Sequence, residues 1–122
     1  MDQPTLKPLY WLRSAKRDLL ELPAQVIDVF GYALYLAQLG RKHDQAKPLR
    51  GFGSAGVLEV VEDWHGNTYR AVYTVRFAAG VFALHVFQKK SRRGRSTAEQ
   101  DLELIRRRLA EAERLSEEIV HD

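Results

Sequence analysis

The chain has 122 residues and no cysteine, and its 19 Lys and Arg against 16 Asp and Glu give a net charge of +3. This length is typical of one folded domain, so we expect a single domain over residues 1–122. The lack of cysteine excludes a disulfide framework and a zinc ribbon, and it suits a reducing cytoplasm. The N-terminus has no basic stretch followed by an apolar one, and polar residues interrupt the apolar series 26–39, so we expect neither signal peptide nor membrane span.

The first half of the chain predicts a strand followed by a helical hairpin. A short strand is favoured over residues 6–12, and a helical face follows over residues 14–22. Pro23 suits the first position of a second helix, and Gly40 is a natural stop for it. Residues 41–56 are rich in Gly, Lys and Arg and are interpreted as a long loop.

The second half predicts an antiparallel meander and a long helix. Apolar and aromatic runs separated by turn residues predict three strands and then a helix, over residues 57–64, 69–77, 81–89 and 97–120. The predicted fold class is therefore α+β, with a small antiparallel sheet of about four strands, an N-terminal helical hairpin and a C-terminal helix.

A basic run joins the last strand to the last helix. Residues 1–87 carry ten cations against eight anions, and residues 98–122, which include the last helix, carry four cations against eight anions. The intervening run has no anion and five cations: Lys89, Lys90, Arg92, Arg93 and Arg95. A local excess of this kind predicts a corner that faces a polyanion.

Pairing of the last two strands about their turn predicts which side chains share a face. The simplest register places Arg70 opposite Gln88 and Tyr73 opposite His85. Side chains alternate between faces, so one face would carry Arg70, Arg76, Gln88 and, past the strand end, Lys90. A guanidinium and an ammonium that converge on one spot suit an oxyanion or a phosphodiester.

Simpler interpretations stand beside this one. Arg70 and Arg76 could be solvent-face strand residues, and the run 89–95 a solvated turn. His85, inside an apolar strand, is favoured as a hydrogen-bonded core histidine over a catalyst. Core packing is also favoured over base stacking for the aromatic residues Trp64, Tyr69 and Tyr73.

Two further features point to ordinary surface or loop positions. His43 and His65 lie in loops without a partner at metal-ligand spacing, so we expect no metal site. Arg106, Arg107 and Arg108 are interpreted as coating the wet face of the last helix.

Two sequence strings at a fixed separation resemble one protein family. Thr68–Tyr73 and Leu84–Lys90, together with Leu104–Leu109 in the last helix, resemble the RelE/ParE toxin superfamily over residues 9–110. The most similar group is its phage-derived HigB-like branch. The resemblance implies a RelE-like fold and a small cytoplasmic toxin that cuts messenger RNA on the ribosome and is neutralised by an antitoxin.

The resemblance also implies a chemistry without metal or cofactor, in which the RNA 2′-hydroxyl attacks the neighbouring phosphate. Arg70 would hold the phosphate, and Lys89 or Lys90 would stabilise the developing charge or move a proton. Contacts to RNA would come from Arg50, Arg76, Gln88, Arg92, Arg93 and Arg95. The antitoxin is expected to be a helix-turn-helix protein that docks on the helical hairpin or the last helix.

The chain departs from the family pattern at two places. Val60 and Val61 follow Glu59 where many relatives carry a basic residue, and no tyrosine or histidine follows the basic run as an acid or base. Two alternatives therefore stay open: a gyrase-directed ParE-like toxin and a non-catalytic nucleic-acid-binding module.

Overall fold

A computed structural model describes residues 5–53, 56–89 and 97–121. These residues form three helices and five strands, which in chain order are β1 Leu9–Trp11, α1 Ala15–Leu20, α2 Ala24–Gln38, β2 Ala46–Pro48, β3 Val57–Trp64, β4 Asn67–Thr74, β5 Val81–Lys89 and α3 Glu99–His121. The α+β class, the N-terminal helical hairpin and the C-terminal helix are confirmed. None of the helices in the described part of the chain has the length and apolar character needed to cross a bilayer.

The sheet has the order β1-β5-β4-β3-β2. Strands β3, β4 and β5 form the predicted antiparallel meander. β2 pairs antiparallel with β3, and β1 pairs parallel with β5. The loop predicted over 41–56 contains the edge strand β2, so the sheet has five strands within the described residues rather than about four. A three-residue strand has no alternating pattern, and its Pro48 is tolerated because an edge strand can lack a ladder donor.

The helical hairpin follows the sequence signals closely. Pro23 lies one position outside α2, as its N-cap, because its extended backbone does not continue into the helix. Gly40 has a φ of 79° and ends α2: its N–H donates to Ala37 O at 2.9 Å, and Arg41 N–H donates to Leu36 O at 2.8 Å. This pair of bonds is the Schellman arrangement, in which glycine takes the left-handed position without strain.

The end of β4 differs from the predicted strand 69–77. The strand ends at Thr74, and Val75 N–H donates to Gly56 O at 2.9 Å instead of continuing the ladder with β5. Residues 75–80 therefore form a connection longer than the tight turn predicted at 78–80.

Both faces of the sheet are covered. One core cluster joins α1 and α2 to alternate residues of the strands, including Tyr69, Ala71 and Tyr73. The other joins α3 to the opposite face, through Val72 and its neighbours. Tyr69 and Tyr73 are buried and Trp64 packs on the first cluster, which confirms the core interpretation of these rings.

Candidate active site

The observed register of β4 and β5 differs from the predicted one by one residue at Arg70 and by two residues at Tyr73. Arg70 lies opposite Phe87, and the pairing shifts between Val72 and Tyr73, so Tyr73 lies opposite Ala83. The predicted pairs Arg70–Gln88 and Tyr73–His85 are therefore wrong. A register inferred from the turn alone fails here because the connection is long and the ladder contains an irregularity.

The one-residue difference at Arg70 changes which side chains of β5 share its face. Gln88 lies on the face opposite to Arg70, whereas Lys89 lies on the same face as Arg70 because it pairs with Thr68. The predicted sharing of a face by Arg70 and Gln88 is thus wrong. The remaining residues of the predicted basic corner, Lys90, Arg92, Arg93 and Arg95, lie outside the described residues.

Two other predicted RNA contacts lie apart from the strand face of Arg70. Arg76 is in the connection after β4 and donates through Nη2 to Phe52 O at 3.2 Å. Arg50 is exposed in the loop after β2. The prediction that Arg76 continues the face of Arg70 is wrong because β4 ends before it.

Arg70 is buried in a hydrogen-bonded network rather than on the solvent face. The residue is 4% exposed, and its Nη1 donates to Glu59 Oε1 at 2.9 Å and to Thr97 Oγ1 at 3.2 Å. The Thr97 hydroxyl donates in turn to Glu59 Oε2 at 2.6 Å. The carboxylate on β3 and the hydroxyl just before α3 therefore fix the position of the guanidinium on β4.

Neither Glu59 nor Thr97 was predicted as a site residue from the sequence. Glu59 interrupts the apolar residues of β3, which was an available signal, because a carboxylate inside a half-buried strand needs a partner. Its partner could not be named, since the register that places Arg70 beside it was not predicted.

The pKa of Lys89 is lowered by its surroundings, which include this network. Burial lowers the pKa of Lys89, and the positive charge of Arg70 lowers it further, while Glu59 acts in the opposite direction. A lysine with a lowered pKa can give up a proton more readily than a free one. The shared face thus combines a fixed guanidinium with an ammonium of lowered pKa.

His85 is held beside α3 on the same face of the sheet. It is 8% exposed, its Nε2 lies 2.9 Å from Asp101 Oδ1, and its ring stacks on Phe87 with the centroids 4.3 Å apart. The predicted burial and hydrogen bonding of His85 are confirmed. Burial lowers the pKa of His85, opposed by the nearby Asp101 carboxylate.

Arg108 departs from its predicted position on the wet face of α3. Its Nη1 donates to Leu84 O at 2.8 Å, so this side chain fastens α3 to β5. Arg106 and Arg107 are exposed, as predicted.

His85 should make stability depend on pH. Because the folded state has the lower pKa, the unfolded state binds more protons as the pH falls below 6.5, the ordinary value. The His85 contribution is thus present above pH 6.5 and is lost as the pH falls towards the folded pKa, with a slope of at most about 1.4 kcal/mol per pH unit. Urea unfolding from pH 5 to 8 should show this slope in the wild type and a shallower one in His85→Gln. Parallel curves for the two proteins would contradict it.

Comparison with known families gives one assignment. The chain matches the family model of the phage-derived Gp49-like proteins (DUF891) over residues 17–110. The chain belongs to this family. This match confirms the resemblance to a phage-derived family that was inferred from the sequence strings containing Arg70 and Lys89.

A solved structure, that of the toxin–antitoxin complex RelBE2 from Mycobacterium tuberculosis, is similar over 75% of this chain and 100% of that chain, at 24% identity and a TM-score of 0.41. No curated protein matches the Gp49-like chain.

Within the described residues, no group of His, Cys, Asp and Glu could hold a metal ion.

Proposed function

We propose that this Gp49-like chain is the toxin of a toxin–antitoxin pair and that it cleaves messenger RNA on the ribosome. The observation that carries the proposal is the face shared by Arg70 and Lys89, which are close enough for one charge to lower the pKa of the other. Two cations over one site suit the charge that develops on a phosphate during attack by the 2′-hydroxyl. The resemblance to the RelE/ParE superfamily points to the same reaction.

In the proposed reaction, Arg70 binds the scissile phosphate and Lys89 acts on the departing 5′ oxygen. Glu59 and Thr97 already hold the guanidinium in one orientation, which reduces the entropy lost when the phosphate binds. Since Arg70 is buried in the free chain, RNA must replace part of this network as it enters. Lys90 is proposed to assist Lys89, and Arg50, Arg92, Arg93 and Arg95 to contact the RNA backbone.

A toxin must be restrained in its host, so we propose a cognate antitoxin of the helix-turn-helix type. The helical hairpin is the favoured docking surface. Its α2 exposes Tyr32 and Tyr35, with ring centroids 6.5 Å apart, and exposed tyrosines are typical of protein interfaces.

Replacement of Lys89 should separate catalysis from folding. We expect Lys89→Ala to slow cleavage by about 100-fold, because the departing oxygen loses its proton donor, while the protein stays folded. The measurement is induction of the toxin followed by mapping of messenger RNA 5′ ends, with Lys90→Ala as a second variant. The matched control is Lys16→Ala, at an exposed position of α1, which should cut like the wild type.

Other outcomes of the same induction would identify other functions. Intact messages together with DNA damage would contradict the nuclease and indicate a gyrase-directed toxin. Normal growth would indicate a nucleic-acid-binding module without toxicity.

A further inference from the structure

His85, Phe87 and Lys89 follow one another along β5 on the face that carries Arg70. Arg70 pairs with Phe87, so His85 and Lys89 lie two residues to either side of it. At a rise of about 3.4 Å per residue, each is displaced by about 7 Å along the strand from the level of Arg70. A phosphate bound to Arg70 would therefore have an imidazole on one side and an ammonium on the other.

This placement fits the geometry of RNA cleavage. The attacking 2′ oxygen and the departing 5′ oxygen lie on opposite sides of the phosphorus, and each needs its own proton acceptor or donor. The proposed function gives Lys89 to the departing oxygen. The attacking 2′-hydroxyl then lies on the other side of the phosphate, where it needs a base, and His85 lies on that side.

The hydrogen bonds of His85 define which nitrogen is available. An ionised carboxylate only accepts hydrogen bonds, so the Nε2 that faces Asp101 carries the hydrogen when the ring is neutral. Nδ1 then carries a lone pair, and it is buried without a hydrogen-bond partner among the described residues. Buried polar atoms normally have partners, so a buried nitrogen without one needs an explanation, and a bound ligand group would supply one.

The surroundings of the ring favour its neutral form. The charged groups that act on His85 are Asp101 and Arg108 from α3 and Asp18 from α1. Burial outweighs the two carboxylates and lowers the pKa of His85, so the ring is free to accept a proton at neutral pH.

We propose that His85 is the general base of the RNA-cleaving site and that Asp101 is the residue that positions it. This inference rests on the proposed nuclease function. His85 Nδ1 takes the proton of the 2′-hydroxyl as the O2′–P bond forms. The P–O5′ bond breaks, and the 5′ oxygen takes a proton from the Lys89 ammonium. The products are a 2′,3′-cyclic phosphate and a 5′-hydroxyl, and no other reactant is needed.

The base is enclosed in the free chain, so the reaction includes an opening step. His85 lies against Phe87 and the first turns of α3, and its ring meets RNA only after these neighbours have moved. The Thr97 hydroxyl, which contacts both Arg70 and Glu59, holds the same end of the helix. Docked RNA would thus open the phosphate site and the base together.

His85→Gln is the sharpest test, because glutamine keeps an N–H donor for Asp101 but has no basic nitrogen. The rate of a single turnover is measured with the full chain, ribosomes and a defined message between pH 5 and 9. We expect a fall of about 100-fold to 10,000-fold in His85→Gln, and loss of the rise in rate with pH that the wild type shows as the base loses its proton. Asp101→Asn should reduce the rate less and keep a pH-dependent limb.

The control is His121→Gln, at an exposed position near the end of α3, which should leave both the rate and the pH profile unchanged. A message with a 2′-deoxy nucleotide at the cut site should resist the wild type.

The outcomes separate the two proposals. If the wild type cuts and His85→Gln cuts equally well, His85 is not the base, although the nuclease function stands. If His85→Gln loses rate equally at every pH, its role is structural and this inference fails. If the folded wild type cuts no RNA on ribosomes, the proposed function and this inference fail together.

Discussion

Replacement of Arg70 by methionine should lower the free energy of unfolding by about 3 kcal/mol. Methionine keeps the apolar stem of the side chain but removes the guanidinium that donates to Glu59 Oε1 at 2.9 Å. The Glu59 side chain is 13% exposed, so its carboxylate would remain largely buried without its cation. Removal of one partner of a buried pair costs about 3–5 kcal/mol, and the partial exposure of Glu59 places this case at the lower end.

Two further variants test this explanation by urea unfolding at pH 7. The double variant Glu59→Gln/Arg70→Met should recover most of the loss, because the uncompensated charge is gone and the new amide can still accept from Thr97. Arg13→Met is the surface control: Arg13 binds Glu111 at 2.8 Å but its side chain is 69% exposed, so a loss below about 1 kcal/mol is expected. Equal losses in the single and double variants would assign the effect to packing instead.

The long elements could be predicted from sequence because their signals are local and repeated. α2 and α3 have apolar stripes over many turns, and β3 and β5 are β-branched or aromatic runs between turn residues. The cap of α2 was equally clear, since Gly40 follows the last apolar position of the helix. Strand β2 was missed because three residues give no period to recognise.

The register could not be predicted in the same way. It depends on where β4 leaves the ladder and on the irregularity after Val72, both of which are set by tertiary contacts such as the bond from Val75 to Gly56. Because alternate side chains point to opposite faces, a one-residue change in register decides whether Arg70 shares its face with Gln88 or with Lys89. Of the predicted site residues on β4 and β5, Arg70 and Lys89 share a face, whereas Gln88 lies on the other face.

The acidic partners of the site needed the structure. Glu59 reaches Arg70 from the neighbouring strand, and Asp101 reaches His85 from α3, 16 residues further along the chain. No local pattern joins residues at these separations. No tyrosine or histidine directly follows the basic run, and the candidate base His85 lies before the run, in strand β5.

Replacement of Gly80 by alanine should lower the free energy of unfolding by about 3 kcal/mol or more, as much as Arg70→Met. Gly80 has a φ of 153° and lies directly before β5, where a Cβ would overlap the carbonyl oxygen of Pro8. That oxygen cannot move away freely, because it accepts from Val81 N–H at 2.9 Å where β1 begins to pair with β5. Strain in the backbone and loss of this strand contact should therefore add to each other.

Gly31→Ala is the matched control for Gly80→Ala. Gly31 lies in the middle of α2, where an added Cβ would have no atom within 4 Å outside its own helix and chain neighbours. Alanine is the better helix former, so this variant should gain about 0.5–1 kcal/mol. Urea unfolding gives both values, and amide exchange at Val81 reports the β1–β5 contact. If Gly80→Ala unfolds like the wild type and protects Val81 equally, β1 does not hold the edge of the sheet through Pro8.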